Sequence, residues 1–173
     1  MAKYKVTPTA VERPMRDEDF IVSKTDLKGR ITYCNRIFIE FSGYSESELL
    51  GAPHNCIRHP DMPRGVFKYL WDCLQAEREC FAYVKNMSKD GGYYWVWANV
   101  TPSYDAEGRV EGYFSVRRRP APAAVAACTQ LYAAMLDAER RAGARDAIQA
   151  SLALLNETLA AKGMSYEEFV LSF

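Results

Sequence analysis

The run His54-Asn55-Cys56-Ile57-Arg58-His59-Pro60-Asp61-Met62-Pro63 decides how the rest of the chain is read. It holds both histidines of the protein, two prolines, an arginine and an aspartate within ten residues. Pro60 and Pro63 each remove an amide donor and steer the preceding residue away from helical geometry, so no long helix passes through here. A stiff, polar segment between two apolar periodic segments reads as a functional loop.

Upstream of it, residues 20–25 read as a strand, Asp26-Leu27-Lys28-Gly29 as a turn, and residues 30–35 as the returning strand of a hairpin. Residues 36–41 follow as a short helix that ends near Gly43. Ser45-Glu46-Ser47-Glu48 has the Ser-x-x-Glu pattern of a capping box and opens another short helix, closed by Gly51. Downstream, Val66, Phe67, Leu70, Trp71 and Leu74 recur at helical spacing, which predicts an amphipathic helix over 64–77. Strands are expected over 80–87, 93–104 and 110–117, with turns at Asp90-Gly91-Gly92 and Asp105-Ala106-Glu107-Gly108.

The strand 93–104 is apolar on both faces. Tyr94, Val96, Ala98 and Val100 alternate with Trp95 and Trp97. One face is therefore expected to cover helices and a pocket, and the other to meet a cap, a C-terminal helix or a second subunit. Pro120 and Pro122 mark a boundary, beyond which narrow apolar stripes predict helices ended by Gly143 and Gly163. The expected division is an N-terminal cap over 1–19, a main domain over 20–119 and a helical extension over 120–173.

Hydrophobic content of 49% and charged content of 25% call for a packed core. Net charge is zero, so neither nucleic acid nor an anionic membrane is indicated as partner. The five cysteines, Cys34, Cys56, Cys73, Cys80 and Cys128, form no CxxC pair, which fits a reducing cytoplasm rather than a disulfide scaffold or zinc ribbon. No apolar run reaches the roughly 18 residues that a membrane span needs, so no membrane insertion is expected. No nucleophile–base–acid set and no metal-ligand spacing stand out, so no enzyme and no metal site are expected.

The order of two strands, short helices, a longer helix and three antiparallel strands resembles a PAS domain. Pro53-His54-Asn55 with Arg58-His59-Pro60-Asp61-Met62-Pro63, then Val84-Lys85-Asn86, then Tyr94-Trp95-Val96 with Ala98-Asn99, resemble the FAD-binding PAS sensory domains of bacterial aerotaxis receptors. Ile31-Thr32, Asn35, Phe41, Ser42-Gly43-Tyr44, Trp71 and Gly112-Tyr113 add to the likeness, which runs over about residues 20–135. The resemblance implies an α+β fold, in which a five-stranded antiparallel sheet carries short helices on one face and is followed by C-terminal helices. It implies a noncovalent FAD whose redox state reports oxygen or electron-transport status. It also implies cofactor contacts from Asn35, Arg58, His59, Phe67, Trp71 and Asn86, with Asp61 supporting the loop. A homodimer through the N-terminal cap or sheet face is expected, as is a chemoreceptor or other signalling protein acting in trans. The chain departs from those receptors at Cys56, where they carry methionine, and the resemblance extends to their sensing part, not to the membrane anchor and signalling domain that follow it there.

The residue chemistry suits a flavin. An arginine fork makes two charge-assisted hydrogen bonds to phosphate or a ring carbonyl. An asparagine donates and accepts at once, matching an amide-imide ring edge. A tryptophan offers an apolar face for stacking. Two readings stand beside it: a haem held through His54 or His59, and a cofactor-free interaction module. Asn55-Cys56 superficially resembles the reactive cysteine of light-sensing LOV domains, but the Arg-Phe-Leu-Gln that follows there is missing. Cys56 is otherwise a small buried hydrophobe. Arg117-Arg118-Arg119 reads as a solvated strand end.

Overall fold

The computed structural model describes residues 6–173; the first five residues of the expected N-terminal cap lie outside the described residues. Five strands form one antiparallel sheet in the order β2-β1-β5-β4-β3. They are β1 (Ile21–Asp26), β2 (Ile31–Cys34), β3 (Cys80–Met87), β4 (Tyr93–Tyr104) and β5 (Val110–Arg118). The central pair β5–β4 is built from the last two strands of the sequence, so the chain ends the sheet in its middle.

Between β2 and β3 run the helices that cover one face: α1 (Arg36–Ser42), α2 (Glu46–Leu49), a 3-10 turn (His54–Ile57) and α3 (Arg64–Gln75). Their boundaries are set by local chemistry. The Asn35 side chain accepts from the Phe38 amide and caps α1. Ser45 and Glu48 form the reciprocal capping box that opens α2. Pro63, with extended backbone at ψ 150°, sits just ahead of α3, where a missing amide costs nothing.

The strand alternation expected from sequence is present. Ser23 and Thr25, Tyr113, Ser115 and Arg117, Ala98 and Val100, and Val84 and Asn86 share the helix-covered face. One expectation fails on this face. Arg117 is not part of a solvated strand end: it is 2% exposed, while Arg118 and Arg119 beside it are open to solvent. The reason is period two, because Arg117 is in phase with Tyr113 and Ser115.

The opposite face is partly covered by the C-terminal helices. The helical run α4 (Pro122–Ala161) breaks at Gly143, whose φ of 76° and ψ of 171° leave helical geometry. That positive φ suits glycine and strains any L side chain. Tyr132 of α4 stacks on Trp95 at 6.3 Å between ring centres, and its hydroxyl donates to the Tyr83 carbonyl at 2.8 Å. The final helix α5 (Tyr166–Leu171) adds Tyr166, Phe169 and Val170 to the core. The described part of the N-terminal cap runs beside the start of β4, with Tyr93 N donating to Val11 O at 2.9 Å and Arg13 N to Tyr93 O at 2.8 Å. Among the described residues, no helix is long and apolar enough to cross a membrane.

Candidate functional site

Residues 53–63 are pinned on both sides. The His54 amide donates to the Gly29 carbonyl at 2.9 Å, tying the loop to the β1–β2 turn. Arg58 and Asn86 form an antiparallel backbone bridge that ties it to β3. The Lys85 ammonium reaches the Asp61 carboxylate at 2.6 Å, and Met62 is buried in the core. A loop held at three points has little freedom, so the side chains it presents are fixed in place.

Behind it lies a cavity of about 340 Å³ between the sheet and α3. Much of its lining is apolar and aromatic: Phe67, Leu70, Trp71 and Leu74 come from α3, Val84 from β3, Ala98 and Val100 from β4, and Tyr113 from β5. Trp71 meets Tyr113 edge to face at 5.4 Å. It also lies so close to Gly29 that a Cβ there would come within 3.3 Å of its ring. Polar groups line the rest. Lys28, Pro53 and Asn55 line the cavity and are solvent-exposed, so they mark its rim. Asn86, 4% exposed, and Arg117 lie deep in its wall.

The sequence-derived candidates divide into two groups. Arg58, Phe67, Trp71 and Asn86 line the cavity together. Arg58 also donates to the Met62 carbonyl at 2.9 Å and lies over the Phe67 ring at 4.3 Å. Burial pulls its pKa down, partly offset by the Glu139 carboxylate on α4. Asn35, His59 and Asp61 are not among the lining residues. Asn35 is occupied in structure: its Oδ1 accepts from the Val22 amide at 3.0 Å as well as capping α1, and its Nδ2 donates to the Phe20 carbonyl at 2.7 Å. His59 is 3% exposed, with Nδ1 accepting from the Asp61 amide at 3.1 Å. Burial and the nearby Lys85 charge lower its pKa, so it is held neutral. Burial works against the Asp61 carboxylate, but Lys85 outweighs it and keeps the carboxylate ionised.

Two groups outside the expected flavin-contact set also line the cavity. His54, named from sequence only as a haem alternative, stacks on Phe38 at 5.7 Å and meets the Ser23 hydroxyl through Nε2 at 3.2 Å. Burial, reinforced by Arg117, pushes its pKa down to about 3. Arg117 donates to the same Ser23 hydroxyl. The β5 alternation was the signal that could have found it. Cys56 is half-buried against the core and is not among the residues that line the cavity.

A five-stranded antiparallel sheet with a cavity beneath a fixed loop and one amphipathic helix is the architecture of a PAS fold. The chain belongs to the PAS family: the family model described as PAS fold matches residues 31–117. PAS domains are signalling domains as a class. Among curated proteins, the chain is 41% identical over 127 residues to the aerotaxis receptor of Escherichia coli, covering 73% of this chain and 25% of the receptor. It is 30% identical over 97 residues to the nitrogen fixation regulatory protein of Klebsiella pneumoniae, covering 56% of this chain and 20% of that protein. The chain thus spans a quarter or less of the length of these relatives. A solved light-oxygen-voltage domain, studied with a flavin analogue, superposes with a TM-score of 0.53 at 22% identity, covering 72% of this chain and 87% of that one. At that identity the likeness supports the fold.

Proposed function

We propose that this PAS domain is a redox sensor that holds FAD noncovalently in the cavity and passes the flavin's oxidation state to a signalling partner. The observation that carries the reading is the cavity: about 340 Å³, lined by aromatic and aliphatic side chains together with Arg58, Asn86 and Arg117. That volume lies within the range of about 300–1,000 Å³ usual for ligand sites. The relatives named for aerotaxis and for nitrogen fixation regulation support a sensory role.

A bound flavin supplies a two-electron couple whose charge and hydrogen-bonding edge differ between its forms. The protein's part is to orient that ring and exclude water from it. Phe67, Trp71 and Tyr113 offer flat apolar surface against it. Asn86 can donate and accept at the ring edge. Arg58, and Lys28 at the rim, supply positive charge for the pyrophosphate or a ring carbonyl. Asn35, His59 and Asp61 contribute indirectly, by fixing α1 and the loop.

Signal output requires that the two redox forms stabilise two protein states unequally. Helix α3 is placed to carry that difference, since it lines the cavity and packs on α4. Residues 20–119 then form the sensor, and 120–173 the element that reads it. A homodimer through the N-terminal cap or the outer sheet face completes the proposal, with a signalling protein in trans and a cytoplasmic location. The purified protein should show a two-banded visible spectrum that bleaches with dithionite. A sharp Soret band would replace the reading with haem. A colourless protein that ignores added FAD would replace it with a cofactor-free interaction module.

A further inference from the structure

Arg117 carries a charge that the protein alone does not neutralise. It is 2% exposed, lines the cavity and lies over the Phe38 ring at 4.4 Å. One nitrogen, Nη2, donates to the Ser23 hydroxyl. Among the described residues, Nε and Nη1 have no hydrogen-bond partner. Burial pulls its pKa down to about 10; among the described residues the Tyr94 phenol is the one group pulling the other way, and no carboxylate among them bears on it.

The neighbours cannot supply the missing negative charge. Ser23 accepts from Arg117 and its hydroxyl also meets His54 Nε2. His54, its pKa depressed by burial, is neutral. Arg117, Ser23 and His54 form a chain that ends without an anion. A buried charge left unpaired is destabilising, whereas an apolar residue of similar volume is often neutral or better. A site that retains such a cation in its ligand cavity is built for an occupant that brings the counter-charge.

Resting on the FAD reading, we propose that Arg117 makes the cavity select for negative charge, holding the reduced, anionic flavin more tightly than the oxidised one. The neutral isoalloxazine takes two electrons and one proton on reduction and becomes a monoanion. The guanidinium favours that product across a medium of low dielectric. Binding the reduced form tenfold more tightly raises a two-electron potential by about 30 mV.

The test pairs Arg117→Met with Arg117→Lys, read by thermal melting without cofactor and by potentiometric titration with FAD bound, dithionite being the electron donor. Arg117→Met should melt at the same temperature as the parent or higher when cofactor-free, and its potential should fall by about 30 mV or more. Arg117→Lys should restore most of the potential. An unchanged potential in Arg117→Met, or a ligand-free protein that melts well below the parent, would overturn the proposal. If the parent binds no flavin, the FAD reading fails by itself. The ligand-free melting then still decides Arg117: a rise upholds an uncompensated charge, and a fall makes the residue structural.

Discussion

Helix α3 has two sides of opposite character. Phe67, Leu70, Trp71 and Leu74 face a cavity with a cation and an amide in its far wall. Gly65, Tyr69 and Cys73, at four-residue steps, lie on the other side against the C-terminal helices or buried beside them. There the packing leaves no room. A Cβ on Gly65 would come within 2.6 Å of Ser151 Oγ, and the Gly65 amide donates to the Glu139 carboxylate at 3.2 Å. Tyr69 meets Tyr166 of α5 at 4.6 Å between ring centres. One side leaves space and polar capacity for a ligand; the other is closed against the element proposed to read it.

The seam can be broken most directly at Gly65. Gly65→Val should lose about 3 kcal/mol, the upper end for over-packing, measured as a drop in urea midpoint. Combining it with Ser151→Gly should recover part of the loss, because the two side chains compete for one space. Equal loss with and without the second change would place the strain elsewhere.

The cavity side should show itself through pH. His54 has a folded pKa of about 3, against 6.5 in the unfolded chain. Above pH 6.5 both states are neutral and the folded protein carries no penalty. As pH falls below 6.5 the unfolded chain takes the proton first, so stability drops by about 1.4 kcal/mol per pH unit. The window closes near pH 3, where the folded state also protonates. Denaturation of His54→Gln between pH 6 and 4 should lack about 2–3 kcal/mol of the acid loss shown by the parent. Parallel curves would mean that His54 stays solvated.

Most of the fold was legible because each element ends on its own chemistry. The capping boxes at Ser45 and Ser165, the helix break at Gly143 and the prolines at 60 and 63 act within a few residues, where sequence shows them. The cavity wall was half legible. Arg58, Phe67, Trp71 and Asn86 came from the family motif and meet in space. Asn35 belongs to the same motif, but its side chain is spent on capping α1 and on two backbone groups of the first strand and its lead-in. Arg117 was hidden by the neighbouring Arg118 and Arg119, which make the run look like surface. The alternation along β5, which puts Arg117 in phase with Tyr113 and Ser115 and opposite Ala98 of β4, reveals its burial.

Smaller effects sharpen the same contrast. Tyr132→Phe removes the hydroxyl that meets the Tyr83 carbonyl at 2.8 Å between α4 and the outer sheet face. It should cost about 1 kcal/mol in chemical denaturation and leave ligand binding in the cavity untouched. Asp61→Asn breaks an ion pair whose carboxylate side chain is 61% exposed. Its effect on stability should stay below about 1 kcal/mol and shrink further in high salt.

The cavity's role is tested most directly by filling it. Ala98 is 4% exposed on β4 and lines the cavity opposite α3. Ala98→Phe puts an aromatic ring where the flavin ring is proposed to lie. Titrating FAD into cofactor-free protein, followed by quenching of flavin fluorescence, should show binding by the parent and none by a folded Ala98→Phe. Equal binding by both would place the flavin, and with it the sensing function, outside this cavity.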